Sequence, residues 1–282
     1  MNDNFPKCNY HTHSTYCDGK DPISAFVQQA EKLQMTELGF SSHAPIPIAN
    51  NFGIQESSIS TYKNEIQQLQ KNTPLNLYYG LECDFIPQIT KPFHYYKDTY
   101  KLHYIIGGVH LVKHPQSQNV WFIDGSKREI YDQGLEQLFD NNIRKAVTAF
   151  WEQTFEMIET QTFDVIAHID KIKMHNQNRF FTEDETWYRQ LVDHAIELIH
   201  QRKIIIEINS RGIYKKRCPD FYPSDYILQK IAALDIPMII SSDAHQAEEL
   251  SLGHIEAKEK LKSFGINYLM HIKNYQWESY AI

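Results

Sequence analysis

The chain is poor in the residues that staple small domains together. Only four of its 282 residues are cysteine (Cys8, Cys17, Cys83 and Cys218), and no two of them form a C-x-x-C pair. That spacing has no zinc-ribbon rhythm and fits reduced thiols filling core or near-surface space, with Cys17 and Cys83 each next to a proposed ligand. No G-x-G-x-x-G follows a predicted strand, which argues against dinucleotide binding. There are no glycine-serine linkers, low-complexity tracts or evident repeats. No apolar run approaches the ~20 residues needed to cross a bilayer. The opening MNDNFPKCNYH has no apolar stretch of the signal-peptide kind. No membrane role is expected, and cytoplasmic location is the default. The net charge of -7 lacks the basic excess that nucleic-acid backbones favour, so no nucleic-acid partner is expected.

The composition that remains is ordinary for a globular protein, with 42% hydrophobic and 22% charged residues. Short runs rich in β-branched and aromatic residues alternate with longer helical patterns. The spacing predicts strands over Cys8–His11, Leu38–Ser42, Leu75–Leu81, Tyr104–Val109, Val165–His168, Ile204–Ile208 and Met238–Ser241. It predicts helices over Pro22–Leu33, Ser57–Gln70, Tyr131–Thr160, Glu185–His200, Ser224–Leu234 and Ile255–Phe264. Such alternation implies an α/β fold with a parallel sheet and outer helices, read here as one domain over residues 1–282. A closed or nearly closed barrel is the expected form, with a doubly wound open sheet as the alternative.

The chemistry-bearing residues fall at the strand ends. His11-Thr12-His13 opens the series, with Asp18 five residues after His13. Residues two apart on a strand share a face, so two imidazoles there can grip one ion. H-x-H alone is a weak signal, but the pattern recurs. His43, Glu82, His110 and His168 end the second to fifth predicted strands, and Asp243-x-His245 ends the seventh. Parallel barrel strands put their carboxyl ends on one rim, so these scattered residues should converge. Nine nitrogen and oxygen donors exceed one tetrahedral site and suit two or three divalent ions, with a carboxylate bridging. The imidazole–carboxylate mixture favours Zn, Mn or Fe. Clustered ions of this kind serve in-line phosphoryl displacement.

The sixth strand ends in Glu207-Ile208-Asn209-Ser210-Arg211, which places a guanidinium on the same rim. A guanidinium fork matches phosphate oxygens, so Arg211 is the expected phosphate clamp, with a surface arginine as the bland reading. The connection Lys113–Lys127 contains Trp121, Phe122 and Asp124. Its aromatics are read either as a stacking surface for a substrate ring or as packing for the loop. Asp84 and Asp170 lie just beyond strand ends on the same rim.

These motifs resemble the polymerase and histidinol phosphatase (PHP) family. The matching elements are Tyr10-His11-Thr12-His13-Ser14, Cys17-Asp18-Gly19, Ser42-His43, Gly80-Leu81-Glu82, Gly108-Val109-His110, Ala167-His168-Ile169-Asp170 and Ser242-Asp243-Ala244-His245. They span the chain from Asn9 to about Gly265 and look most like the stand-alone histidinol-phosphatase branch. The resemblance implies a distorted (β/α)7 barrel with a trinuclear centre. In it His11, His13, Glu82 and Asp243 would hold one ion, and Glu82, His110 and His168 a second. Asp18, His43 and His245 would hold the third. Position 18 is Asp where some relatives carry His. The implied activity is hydrolysis of a small phosphomonoester, L-histidinol phosphate, with Asp84 and Asp170 as the expected substrate-binding partners of its ammonium. Glu82, Asp243, His245 and Arg211 are the catalytic candidates, with His245 and Asp243 as proton donors only if the metal leaves them free. Two rivals remain: the same chemistry on short oligonucleotides or phosphotyrosine, and a module that merely stores or senses metal.

Overall fold

In the computed structural model, which describes residues 7–282, seven parallel strands wrap into a nearly closed barrel. The strands in chain order are β1 (Cys8–Asn9), β2 (Glu37–Phe40), β3 (Asn76–Asp84), β4 (Tyr104–Gly108), β5 (Leu111–Lys113), β6 (Val120–Phe122), β7 (Val165–Ile166), β8 (Ile205–Asn209), β9 (Met238–Ser241), β10 (Tyr268–Lys273) and β11 (Gln276–Ala281). The helices are α1 (Ile23–Lys32), α2 (Ile59–Gln70), α3 (Phe93–Tyr100), α4 (Arg128–Phe139), α5 (Ile143–Thr160), α6 (Lys173–Asn176), α7 (Thr186–Arg202), α8 (Arg211–Tyr214), α9 (Asp225–Leu234) and α10 (His254–Ser263). The barrel order is β1-β2-β3-β4-β7-β8-β9, and β5–β6 and β10–β11 are separate antiparallel hairpins. No helix among the described residues is long and apolar enough to cross a membrane.

The barrel closes without a full strand pairing. Thr12 and Ala244 form a single parallel bridge between the segments following β1 and β9. The Ala244 amide donates to the His11 carbonyl at 3.1 Å, and the His13 amide donates to the Ala244 carbonyl at 2.8 Å. Below them the Asn9 side-chain Nδ2 donates to Ser242 Oγ at 2.9 Å.

Side-chain alternation splits the core into two layers. The larger lies between sheet and helices, where α1 contributes Ile23, Phe26, Val27 and Ala30 at helical spacing. The smaller fills the barrel with Tyr10, Tyr78, Tyr104, Ile106, Val165, Ile205 and Ile239. Gly39 leaves room for this layer: a Cβ there would meet the Tyr104 hydroxyl. That hydroxyl donates to the Tyr10 and Phe40 carbonyls at 2.6 and 3.0 Å. The hairpin β10–β11 seals the amino-terminal mouth with Ile272 and Trp277. The Ile272 amide donates to the Tyr10 hydroxyl at 2.8 Å, and the Tyr78 hydroxyl donates to the Ile272 carbonyl at 2.7 Å.

Two sequence expectations need correction. The helix expected over Tyr131–Thr160 is two helices, α4 and α5. Asp140 and Asn141 between them take positive φ of 51° and 59°, a conformation short polar side chains tolerate. The Asn142 side chain then caps α5 by accepting from the Lys145 amide at 3.0 Å. The first strand is shorter than expected, so His11 and His13 lie beyond its end on the segment that closes the barrel. Helix α3 and both hairpins had no counterpart in the sequence reading.

Candidate metal centre

The expected ligands meet at the carboxyl rim. Glu82, at the end of the long strand β3, is the hub. Its Oε2 lies 3.2 Å from His11 Nε2, 3.4 Å from His13 Nε2 and 3.0 Å from His43 Nδ1. Its Oε1 lies 3.4 Å from His110 Nε2 and 3.1 Å from His168 Nε2. Asp243 Oδ1 sits 3.7, 3.5 and 3.4 Å from nitrogens of His11, His13 and His245. Asp18 Oδ1 lies 3.2 Å from His245 Nε2 and 3.8 Å from His43 Nε2. The donors fall into overlapping sets able to hold an ion: His13, Asp18, His43 and His245; His11, His13 and Asp243; His11, Glu82 and His168; and His43, Glu82 and His110.

Three observations fit these residues to divalent ions. His11 Nε2, His13 Nε2, Asp18 Oδ1 and Glu82 Oε2 are buried and have no hydrogen-bond partner. Buried polar atoms in folded proteins nearly always have one, so four orphans within one cluster of donors fit bound cations. Burial alone would raise the Glu82 carboxyl, but His11, His43 and His110 outweigh it and hold the group well below the usual carboxylate range. Asp243 is likewise held low against its burial, by His11, Arg211 and Lys171. Finally, His168 has φ of 21°, short of the left-handed range that a polar residue such as Asp243, at 50°, tolerates. Such strain at ligand positions is typical of functional sites.

A cavity of about 510 Å³ opens onto the cluster. Asp18, His43, Glu82, His110, Asp243 and His245 form one side, and Lys171, Arg211, Lys215 and Arg217 bring positive charge. Arg211 is anchored: its Nη1 donates to the Asp243 carbonyl at 2.5 Å and lies 3.4 Å from Glu249. Lys171 was missed by the sequence reading, although it directly follows His168-Ile169-Asp170. Its Nζ sits 3.2 Å from Asp124 and 3.7 Å from Asp243. Burial works against its charge, but Asp124, Asp243 and Glu82 outweigh it and keep the ammonium protonated. Phe52, also missed, stacks on Phe122 across the mouth, with centroids 5.9 Å apart and planes at 28°. Phe52 sits in an irregular loop, where neither period nor motif marks it.

Three expected substrate contacts are corrected. Trp121 is fully buried, its indole N–H donates to the Tyr131 carbonyl at 2.9 Å, and its ring packs against Tyr131 and Phe139. The bulky indole, from a hairpin whose alternate residues face opposite sides, belongs to the loop's own core, while Phe122 faces the cavity. Asp84 turns to His110, accepting from its amide at 3.0 Å with the other oxygen 3.7 Å from Nδ1. Asp170 has no exposure, pairs with Lys173 at 2.8 Å and accepts from the Ser224 amide at 2.9 Å. Both aspartates brace the rim and do not reach the cavity.

The fold and the ligand set define a parallel barrel built to hold several divalent ions at its carboxyl rim. The chain belongs to the PHP family: the PHP domain matches residues 9–211. It is similar to the histidinol-phosphatase of Bacillus subtilis, 22% identical over 268 residues, or 86% of this chain and 95% of that one. In structure it is similar to a candidate histidinol phosphatase from Listeria monocytogenes (TM-score 0.76, 20% identity, 89% of this chain and 99% of that one). It is also similar to the Lactococcus lactis histidinol phosphate phosphatase, whose structure contains zinc, L-histidinol and phosphate (TM-score 0.71, 16% identity, 96% and 98%).

Proposed function

We propose that this chain hydrolyses L-histidinol phosphate to L-histidinol and inorganic phosphate, acting on a small phosphomonoester in one unit spanning residues 1–282. The observation that carries the reading is one cavity lined both by Asp18, His43, Glu82, His110, Asp243 and His245 of the donor cluster and by two anchored cations, Arg211 and Lys171. A metal store has no need of those cations. The names of the Bacillus and Lactococcus relatives, and the product molecules bound in the latter, support this substrate.

His11, His13, Glu82 and Asp243 would hold one ion, Glu82, His110 and His168 a second, and Asp18, His43 and His245 a third. Zn, Mn or Fe bound there would acidify water and neutralise charge on the phosphoryl group. The protein's own residues do the rest. Arg211 and Lys171 receive phosphoryl oxygens and orient the ester so that the leaving alkoxide points away from the cluster. Phe52 and Phe122 offer an aromatic wall against which the substrate ring lies, excluding water from that side of the cavity.

Phosphate release from a panel of esters, with the same metal and pH throughout, tests the reading. The expected kcat/KM for L-histidinol phosphate exceeds that for a simple alkyl phosphate by at least ~100-fold, a gap of roughly 2.7 kcal/mol. Faster turnover of a dinucleotide or of phosphotyrosine would overturn the substrate and leave a phosphoesterase. No phosphate release from any ester would overturn the class.

A further inference from the structure

Beneath the ligands lies a carboxylate that coordination does not use. Glu207 follows Ile205 by two residues on β8, so both side chains enter the barrel interior. It has no solvent exposure. A carboxylate buried at the centre of a barrel is costly unless every acceptor site is used. Here each oxygen accepts two hydrogen bonds. Oε1 accepts from the His168 amide at 2.7 Å and from Asn209 Nδ2 at 2.8 Å. Oε2 accepts from His11 Nδ1 at 2.8 Å and from the Ser241 hydroxyl at 2.6 Å.

The two halves of this arrangement act on two different ligands. An ionised carboxylate only accepts, so the His11 nitrogen facing it must carry a proton. That choice leaves Nε2, one of the orphaned buried atoms beside Glu82 and Asp243, unprotonated and free to coordinate. The other oxygen holds the His168 backbone, at its φ of 21°, by the peptide N–H of the strained residue itself. We infer that Glu207 is a positioning residue, which fixes the tautomer of His11 and the backbone turn of His168 and thereby sets how tightly the centre binds metal. This inference rests on the metal-centre reading above.

Glu207→Gln tests it with little change of shape. The pocket presents donors on both sides, so the new amide N–H group must face one of them. The Ser241 hydroxyl can rotate, but the His11 ring escapes only by moving its proton to Nε2, which removes that nitrogen as a ligand. Competition with a chromophoric chelator should therefore show metal affinity weakened by about 10- to 100-fold, as is usual when a ligand's outer partner is lost. The expected metal content after gel filtration is one ion below that of the unmutated protein. Ser241→Ala removes a hydrogen bond to the same oxygen without touching the tautomer, and its metal affinity should stay within about twofold of the unmutated protein. Equal losses in the two variants would reduce Glu207 to a structural role and overturn the inference. So would unaltered metal binding in Glu207→Gln. Should that variant fail to fold, nitrogen NMR of the unmutated, metal-loaded protein with labelled histidine reads the tautomer directly. A His11 ring protonated at Nδ1 supports the inference, and one protonated at Nε2 overturns it. If the unmutated protein binds no divalent metal at all, the metal-centre reading falls and this inference with it.

Discussion

Arg211→Ala separates phosphate recognition from metal binding. The guanidinium stands at the first turn after β8 and reaches across to the segment following β9, where Nη1 meets the Asp243 carbonyl. Its removal deletes a charge from the cavity wall, but the local ion-pair network survives, because Glu249 keeps its contact with Lys215. The Asp243 carbonyl keeps the Tyr214 hydroxyl at 3.4 Å. Metal content should therefore stay unchanged while phosphate affinity falls. Losing charge-assisted hydrogen bonds to a dianionic phosphoryl group costs on the order of 2–4 kcal/mol. That corresponds to roughly 30-fold to nearly 1,000-fold in kcat/KM, with KM raised because the contact exists before and during reaction. Arg211→Lys keeps the charge and loses the fork, so its activity should fall between the two. Steady-state phosphate release with metal analysis of the same samples is the assay. Kinetics of Arg211→Ala indistinguishable from the unmutated protein would make the residue a bystander. A loss of bound metal parallel to the loss of rate would show that it acts through Asp243.

Other residues invite similar tests. Glu82→Ala should release more metal than His43→Ala, because five histidine nitrogens converge on that one carboxylate, and equal losses would remove its bridging role. Phe52→Ala or Phe122→Ala should lower kcat/KM for L-histidinol phosphate by about 3- to 10-fold, in line with ~0.5–1.5 kcal/mol for an aromatic pair. Turnover of an alkyl phosphate should not change, and a matching drop there would count against a ring-binding wall. Trp121→Ala should cost about 3–5 kcal/mol of stability by leaving a cavity, or on the order of 10 °C in melting temperature. It should leave the ratio of kcat/KM between substrates unmoved, and a changed ratio would return Trp121 to the substrate pocket.

The residues of the donor cluster were legible in the sequence because each combines a donor side chain with the end of an apolar run, and barrel topology gathers such ends. The supporting residues were not, for a different physical reason. Glu207 lies mid-strand among isoleucines, where period-2 patterning sends it into a barrel interior that no linear pattern reveals. Asp84 and Asp170 occupy the right rim, but sequence position does not say whether a carboxylate turns outward to a ligand or inward to brace one. The break between α4 and α5 was hidden because Phe139 and Ile143 keep helical spacing across it. Asp140-Asn141-Asn142 was the available signal, a cluster of residues that readily turn left-handed and cap helices.

The single bridge between Thr12 and Ala244 has a consequence for biogenesis. The hydrogen bonds that join the first and last staves of the barrel belong to the peptide units of His11, His13 and Ala244, the same short stretches that deliver donors to the ions. On a ribosome, a nascent chain that has emerged as far as β8 carries His11 through His168 but has no Asp243 or His245 to complete the ring. Metal captured at that stage would be held by an open sheet. The donor ring is therefore complete only once β9 and the turn after it have formed, at the moment when the two ends of the barrel meet.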